Sequence, residues 1–127
     1  MNETKQSAIA PAKAWQSQLL KHDRQLLGCR FSPCGRFVFA AAADRFVHRW
    51  DLESDSHTAL AGHTSWIGGM AFHPDGKRLV TADYVGGMHC WNYADETPQP
   101  IWSVKAAHPN SIRSVSISAD GRYVATA

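Results

Sequence analysis

The chain has 127 residues, of which 44% are hydrophobic and 19% are charged, and its formal net charge is +2. This balance is typical of a globular domain with a core of its own. The small net charge predicts no specific nucleic-acid partner and no attraction to a membrane surface, and no apolar run reaches the length of about 18 residues that predicts a transmembrane helix.

The N-terminal stretch and the cysteines indicate where the protein works. Residues 1–13 are polar or small and contain no long apolar stretch of the signal-peptide kind, so they predict a flexible leader. Cys29, Cys34 and Cys90 form an odd set without C-x-x-C spacing. That pattern favours free thiols in a reducing compartment, and we expect a cytoplasmic, intracellular protein.

Short apolar runs separated by Pro/Gly turns predict β-strands along the rest of the chain. A leading strand is predicted at residues 15–20. The first unit then predicts strands at 26–31, 36–42, 46–51 and 55–61; the second at 67–72, 77–82, 87–93 and 101–106; the third at 112–117 and 122–127. In each unit a turn ending in glycine follows the first strand, and glycine accepts the positive φ that such a turn needs.

The units repeat with fixed internal distances. Thirteen residues separate His22 from Gly35 and His63 from Gly76, and fifteen separate each of these glycines from Trp50 and Trp91. The third unit repeats the first distance, from His108 to Gly121. With Gly-His, Pro-Asp-Gly and Trp-Asp/Asn in register over about residues 14–127, the chain resembles the WD40 repeat family.

The resemblance implies an all-β fold, an incomplete WD40-type β-propeller. It would contain two full four-stranded blades, a leading strand and a trailing half blade, with units at about 22–61, 63–106 and 108–127. Packing of large aromatic residues is expected to dominate its stability. They are Trp50, Trp91, Phe31, Phe72 and Phe39.

The family also implies a hydrogen-bonded set of His, Ser/Thr, Asp and Trp inside each blade. The matching residues are His22, Asp44 and Trp50 in the first unit, His63, Thr81 and Trp91 in the second, and His108 and Thr126 in the third. Ala40 replaces the threonine of the first unit. Val85 replaces the turn aspartate of the second, so neither full unit is expected to hold the whole set unless Asp83 substitutes.

No residue pattern predicts catalysis, a metal or a cofactor. The repeat accounts for three of the seven histidines, and His48 and His89 share a repeat position that places them on successive blades. No H-x-x-x-H spacing occurs, so structural roles are favoured over metal binding. Buried Cys90 is expected to be inert, and Cys34 is expected to be exposed in its turn.

Binding of a protein or peptide is the function that the resemblance implies. In the family, residues three and five positions after each repeat His lie at one rim of the propeller. Here these positions hold Gln25, Leu27, Trp66, Gly68, Ser111 and Arg113. Trp66 is the sharpest candidate, because exposed aromatic residues are frequent hot spots, although it could equally cover a blade edge. Tyr84, beside a turn, is a weaker candidate.

The sequence therefore predicts a non-enzymatic interaction scaffold or sensor, in the form of an N-terminal fragment of a propeller. One alternative is the regulatory propeller of a longer signalling protein or enzyme whose catalytic part is encoded downstream. Another is a short chain that assembles a propeller from several copies. Self-association through exposed blade faces and the edge strand at 122–127 is expected, because an uncovered strand invites pairing with another chain.

Overall fold

The computed structural model describes residues 10–127, in which the repeating units form antiparallel sheets. Ten strands follow one another: β1 (Leu26–Phe31), β2 (Phe37–Ala42), β3 (Val47–Asp51), β4 (Ser56–Leu60), β5 (Ile67–Phe72), β6 (Arg78–Asp83), β7 (Met88–Asn92), β8 (Pro100–Val104), β9 (Val115–Ile117) and β10 (Val124–Thr126). A short 3-10 helix at Pro11–Lys13 precedes them.

Each full unit is one four-stranded sheet in chain order. Strands β1-β2-β3-β4 form blade 1, β5-β6-β7-β8 form blade 2, and β9 and β10 form a two-stranded third sheet. Both blades carry a register shift at the same place in their first strand, between Leu26 and Gly28 and between Ile67 and Gly69. The predicted all-β architecture, with two full blades and a trailing half blade, is confirmed.

The same turn joins the first two strands of every sheet. Gly35, Gly76 and Gly121 have φ values of 75°, 72° and 72°. Each donates its backbone N–H to the carbonyl three residues earlier, at 2.9, 3.0 and 2.9 Å. Positive φ is costly for residues with a Cβ, so the regular glycine spacing in the sequence reflects a backbone requirement.

The main core lies between the two blades. Phe39 is fully buried and packs edge-to-face against Phe72 and Tyr93, with ring centroids 5.5 and 5.4 Å apart. Trp91, also fully buried, belongs to the same cluster. A second cluster joins blade 2 to the third sheet, and it includes Val80, Met88, Cys90, Ile112 and Val115. The blades thus pack face to face, in the manner of a propeller.

Two sequence expectations about the beginning of the fold are wrong. Residues 15–20 form no strand, because no segment among residues 10–127 pairs with them, and Trp15 is 80% exposed. Phe31 is 67% exposed and contributes little to the core, since every residue of β1 is exposed. Of the predicted leader 1–13, residues 1–9 lie outside the described residues. Within residues 10–127, no helix has the length and apolar character that crossing a membrane requires.

Candidate binding surface and the polar sets of the blades

Blade 2 contains a complete hydrogen-bonded set. The buried His63 ring contacts the Asp83 carboxylate through Nδ1 at 2.7 Å and the Thr81 hydroxyl through Nε2 at 2.7 Å. The indole N–H of Trp91 donates to the same hydroxyl at 2.8 Å. Asp83 also accepts the backbone N–H groups of Val85 and Gly87. Because every member has partners, this buried network stabilises the blade instead of costing desolvation energy.

Of the two possibilities that the sequence left open for the second set, the structure shows the one in which Asp83 substitutes for the missing turn aspartate. Asp83, at the end of β6, fills the place that the sequence spacing assigned to Val85. Asp83 lies two residues after Thr81 on one strand, so the two side chains point to the same face and meet His63 together. Val85 is 52% exposed in the turn beyond. The repeat spacing alone points to Val85, two residues after the aspartate that fills the role.

Blade 1 uses a different set. The Asp44 carboxylate contacts Nε2 of His22 at 3.0 Å and Nε2 of His48 at 2.8 Å. His48 in turn contacts His57 on β4, with 2.8 Å between His48 Nδ1 and His57 Nε2. Ala40 stands where blade 2 has Thr81 and supplies no hydroxyl. Histidines thus replace the threonine-centred network of blade 2.

Sequence reasoning missed His57, which has no repeat spacing. The register of β3 and β4 pairs Trp50 directly with His57, and this pairing brings His57 diagonally across from His48 on the same face. The signal needed to find it is the hairpin register, which depends on both strands and on the turn between them.

The third sheet keeps one contact of the set. His108 Nε2 lies 2.7 Å from the Thr126 hydroxyl. The three repeat histidines thus all bond within their own unit, although each uses different partners.

Burial and hydrogen bonds shift the pKa values of several residues in the two blades. Desolvation lowers the pKa of His63, and the hydrogen bond to Asp83 offsets only part of this effect. Desolvation also lowers the pKa of His89. Burial raises the pKa of Asp44, but hydrogen bonds from Phe46, His48 and His22 outweigh it and hold this pKa below its usual value. These shifts favour the neutral imidazole at His63 and His89 and the ionised carboxylate at Asp44.

The cysteines lie as the sequence predicts, and all three are free. Cys90 is buried, and desolvation raises the pKa of its thiol. Cys34 is exposed in its turn, where a hydrogen bond with Ser32 lowers its pKa.

At one rim, Trp66, Tyr84 and Arg113 lie together, and we refer to these three residues as the rim patch. The Trp66 and Tyr84 ring centroids are 6.1 Å apart, and the Arg113 guanidinium lies 5.5 Å from the Tyr84 ring centroid. Trp66 is 46% exposed, Tyr84 is half-buried and Arg113 is exposed. Three side chains from separate loops thereby form one aromatic surface with a cation beside it.

Backbone contacts fix the geometry of the rim patch. The Tyr84 N–H donates to the Trp66 carbonyl at 2.9 Å. A Cβ at Gly68 would lie 2.7 Å from the Tyr84 ring and 2.1 Å from the Ile112 carbonyl, so only glycine permits this approach. Of the other predicted rim residues, Gly68 packs against Tyr84, and Leu27 lines the neighbouring surface with Arg113. Among residues 10–127, the side chains of Gln25 and Ser111 make no hydrogen bond to the rim patch.

A cleft adjoins the rim patch. It has a volume of about 180 Å³ between the first strands of the two blades and the segment leading into β9. Arg30 and Arg113 line it together with Leu27, Met70 and Ser114. The surface next to the aromatic pair is therefore concave and carries positive charge.

Comparison with known proteins agrees with this architecture. The family model described as "WD domain, G-beta repeat" matches residues 15–51, 54–92 and 98–127. These segments cover most of the chain, which therefore belongs to the WD40 repeat family.

Two similar proteins are a nuclear distribution protein and a small nuclear ribonucleoprotein component. Nuclear distribution protein PAC1-1 of Uncinocarpus reesii is 24% identical over 83% of this chain and 28% of its own length. The U5 small nuclear ribonucleoprotein 40 kDa protein of Homo sapiens is 38% identical over 55% of this chain and 20% of its own length. The chain spans less than a third of the length of these relatives.

A solved structure shares the fold. A chain of the structure described as "Crystal Structure of Mitotic Checkpoint Complex" superposes with a TM-score of 0.71 and 18% sequence identity. The match covers 84% of this chain and 32% of that chain.

Proposed function

We propose that this chain is a non-enzymatic interaction module that holds a protein partner by binding one of its peptide segments at the rim patch. The observation that carries the proposal is the meeting of Trp66, Tyr84 and Arg113 on one exposed surface. Aromatic residues and arginine are the side chains most enriched among binding hot spots. The WD40 fold and the assemblies named for its relatives agree with a scaffold role.

The surface indicates the chemistry of the peptide. An apolar or aromatic side chain would pack on the exposed Trp66 ring. An acidic side chain would enter the cleft beside Arg30 and Arg113, where charge-assisted hydrogen bonds to guanidinium groups are strong. We therefore propose a partner segment that combines an apolar residue with a carboxylate.

The cellular location belongs to the same proposal. Cys29 and Cys34 are exposed and unpaired, which suits a reducing compartment, and we propose that the protein works inside the cell.

Peptide selection from a displayed random library tests the proposed function. Selected peptides should be rich in apolar and acidic residues, and Trp66→Ala should weaken their binding at least about tenfold, as expected for a hot spot. Trp102→Ala is a matched control, because Trp102 is 39% exposed on the outer strand β8, away from the rim patch. Equal loss of affinity in both variants, or in neither, would refute binding at the rim patch.

A further inference from the structure

The β3–β4 hairpin and the segment before β1 bring three histidines together in blade 1. His48 and His57 stack almost in parallel, with an interplanar angle of 10° and ring centroids 5.0 Å apart. The His22 ring centroid lies 3.9 Å from that of His48. One ring nitrogen from each histidine lies within 4.8 Å of the other two. We refer to these three residues as the histidine cluster.

We propose that the histidine cluster is a binding site for a divalent transition-metal ion, and zinc is the ion that we infer. Imidazole nitrogen is a preferred ligand of zinc, copper and nickel. A tetrahedral zinc site with Zn–N bonds of about 2.0–2.1 Å holds its ligand nitrogens about 3.3 Å apart. The three nitrogens now lie within 4.8 Å of one another, so metal binding requires rotation of the His57 and His22 rings to reach that spacing.

Asp44 has the position of an orienting carboxylate. It accepts from Nε2 of His48, which leaves Nδ1 of that ring directed towards His57. Metal-bound histidines commonly bond through their other nitrogen to a carboxylate, which fixes the tautomer and makes the ligand more basic. Asp44 thus supports the metal ligand without itself being one.

The hydrogen bonding of His22 distinguishes it from the repeat histidine of blade 2. In blade 2 both nitrogens of His63 have close partners, Asp83 and Thr81. In blade 1, the one partner of His22 Nδ1 among residues 10–127 is the Asp23 carboxylate at 3.8 Å, beyond hydrogen-bond distance. His22 therefore has a ring nitrogen that is available to a metal ion.

The site would have a structural consequence. His48 and His57 belong to the blade, whereas His22 belongs to the segment that precedes β1. A bound ion would fasten this segment to the outer part of blade 1, where Gln18 already contacts Asp55 at 3.4 Å. The fourth coordination position would remain for water or for a group from a partner surface, since His57 is exposed.

Calorimetric titration of the untagged, metal-free full chain with ZnCl₂ tests the proposal. We expect one ion per chain and binding at least about tenfold weaker in His57→Gln, because even loss of an outer-shell partner commonly costs ten- to a hundredfold in metal affinity. His57 is exposed, so the variant should fold, and circular dichroism verifies this. His89→Gln is the matched control: His89 occupies the position of His48 in blade 2, where it contacts Ser103.

The zinc titration and its control variant distinguish a metal site from a purely hydrogen-bonded cluster. Unchanged binding in His89→Gln, with slower hydrogen exchange of residues 19–25 when zinc is present, would support a site that fastens the leading segment. Failure of the chain to bind Zn²⁺ saturably would overturn the proposal and leave a purely hydrogen-bonded cluster. Equal affinity of His57→Gln and the unaltered chain would overturn it as well.

Discussion

At the scale of single residues, the repeat tryptophans of the two blades have different neighbours. Trp91 is fully buried in the core, and its N–H donates to Thr81. Trp50 is 8% exposed and lies against His48 and His57, with ring centroids 5.9 and 5.0 Å away. The same repeat position therefore has a core role in blade 2 and a role beside a polar cluster in blade 1.

Replacing these tryptophans should reveal that difference. The sequence alone predicts a similar loss for both, about 3–5 kcal/mol on truncation to Ala. From the structure we expect Trp91→Ala to reach that range, because it leaves a cavity and removes one of the two hydrogen-bond partners of the Thr81 hydroxyl. We expect Trp50→Ala to cost less. Urea unfolding followed by circular dichroism measures both. A larger loss for Trp50→Ala would contradict the assignment of Trp91 to the core.

Prediction from sequence succeeds for residues whose role is local. The glycines of the repeated turn could be found because positive φ is a property of one residue and its neighbours. The hydrogen-bond partners of His63 could be predicted only in part, because Asp83 lies two residues before the position that the repeat spacing assigns to the aspartate. His57 could not be found, because its contact with His48 follows from the register between two strands.

At the scale of elements, the turn between β6 and β7 joins blade 2 to the segment before β9. Gly86 has a φ of 86°, and a Cβ there would lie 2.0 Å from the His108 carbonyl. Ala107 donates its N–H to the Gly86 carbonyl at 2.9 Å, so the two segments meet backbone to backbone. Only glycine fits this contact.

A pair of alanine variants separates this packing from backbone strain. Gly35 has a similar φ of 75° but nothing within 4 Å of its added Cβ. Gly35→Ala should cost about 1–2 kcal/mol for the left-handed conformation alone, whereas Gly86→Ala should cost more, because a backbone carbonyl must also move. Thermal melts of the two variants provide the comparison. Equal losses would mean that the third sheet does not pack on blade 2 as described.

The strands themselves were predictable because the turns delimit them, and both full blades form as expected. The leading strand at residues 15–20 was not predictable in the same way. Its apolar residues match a strand pattern, but a strand requires a partner, and among residues 10–127 none lies beside it. Trp15 and Leu19 therefore remain 80% and 61% exposed.

At the scale of the whole molecule, three histidines couple stability to pH. The pKa values of His57, His63 and His89 are all lowered in the folded chain, chiefly by desolvation. The unfolded chain then binds protons more readily than the folded chain. Stability is therefore fully present above the ordinary histidine pKa of about 6.5 and falls as the pH drops below it.

We expect the free energy of unfolding to be lower at about pH 5.5 than at about pH 7.5, because this interval spans the ordinary histidine pKa. Urea titrations at both values measure it. His63→Gln should reduce the difference between the two pH values, since it removes the most buried of these three rings. Equal or greater stability at the lower pH would disprove the coupling.

The exposed edge strand of the third sheet, β10, is a candidate surface for self-association. Among residues 10–127, strand β10 pairs only with β9. Tyr123 just before β10 and Val124 at its start are 65% and 43% exposed. Uncovered strands with exposed apolar side chains pair readily with other chains. We propose that the 127-residue chain self-associates through this strand. Size-exclusion chromatography with light scattering should show oligomers, which Val124→Lys should reduce; a sharp monomer peak for the unaltered chain would contradict this.

The central claim, that the rim patch is where a partner peptide binds, is tested most directly by NMR with a selected peptide. Titration of the isotope-labelled chain should shift the resonances of Trp66, Tyr84 and Arg113 most strongly, together with those of Arg30 and Met70 in the adjoining cleft. Shifts concentrated instead on β8 around Trp102, or spread over the whole chain, would contradict the account.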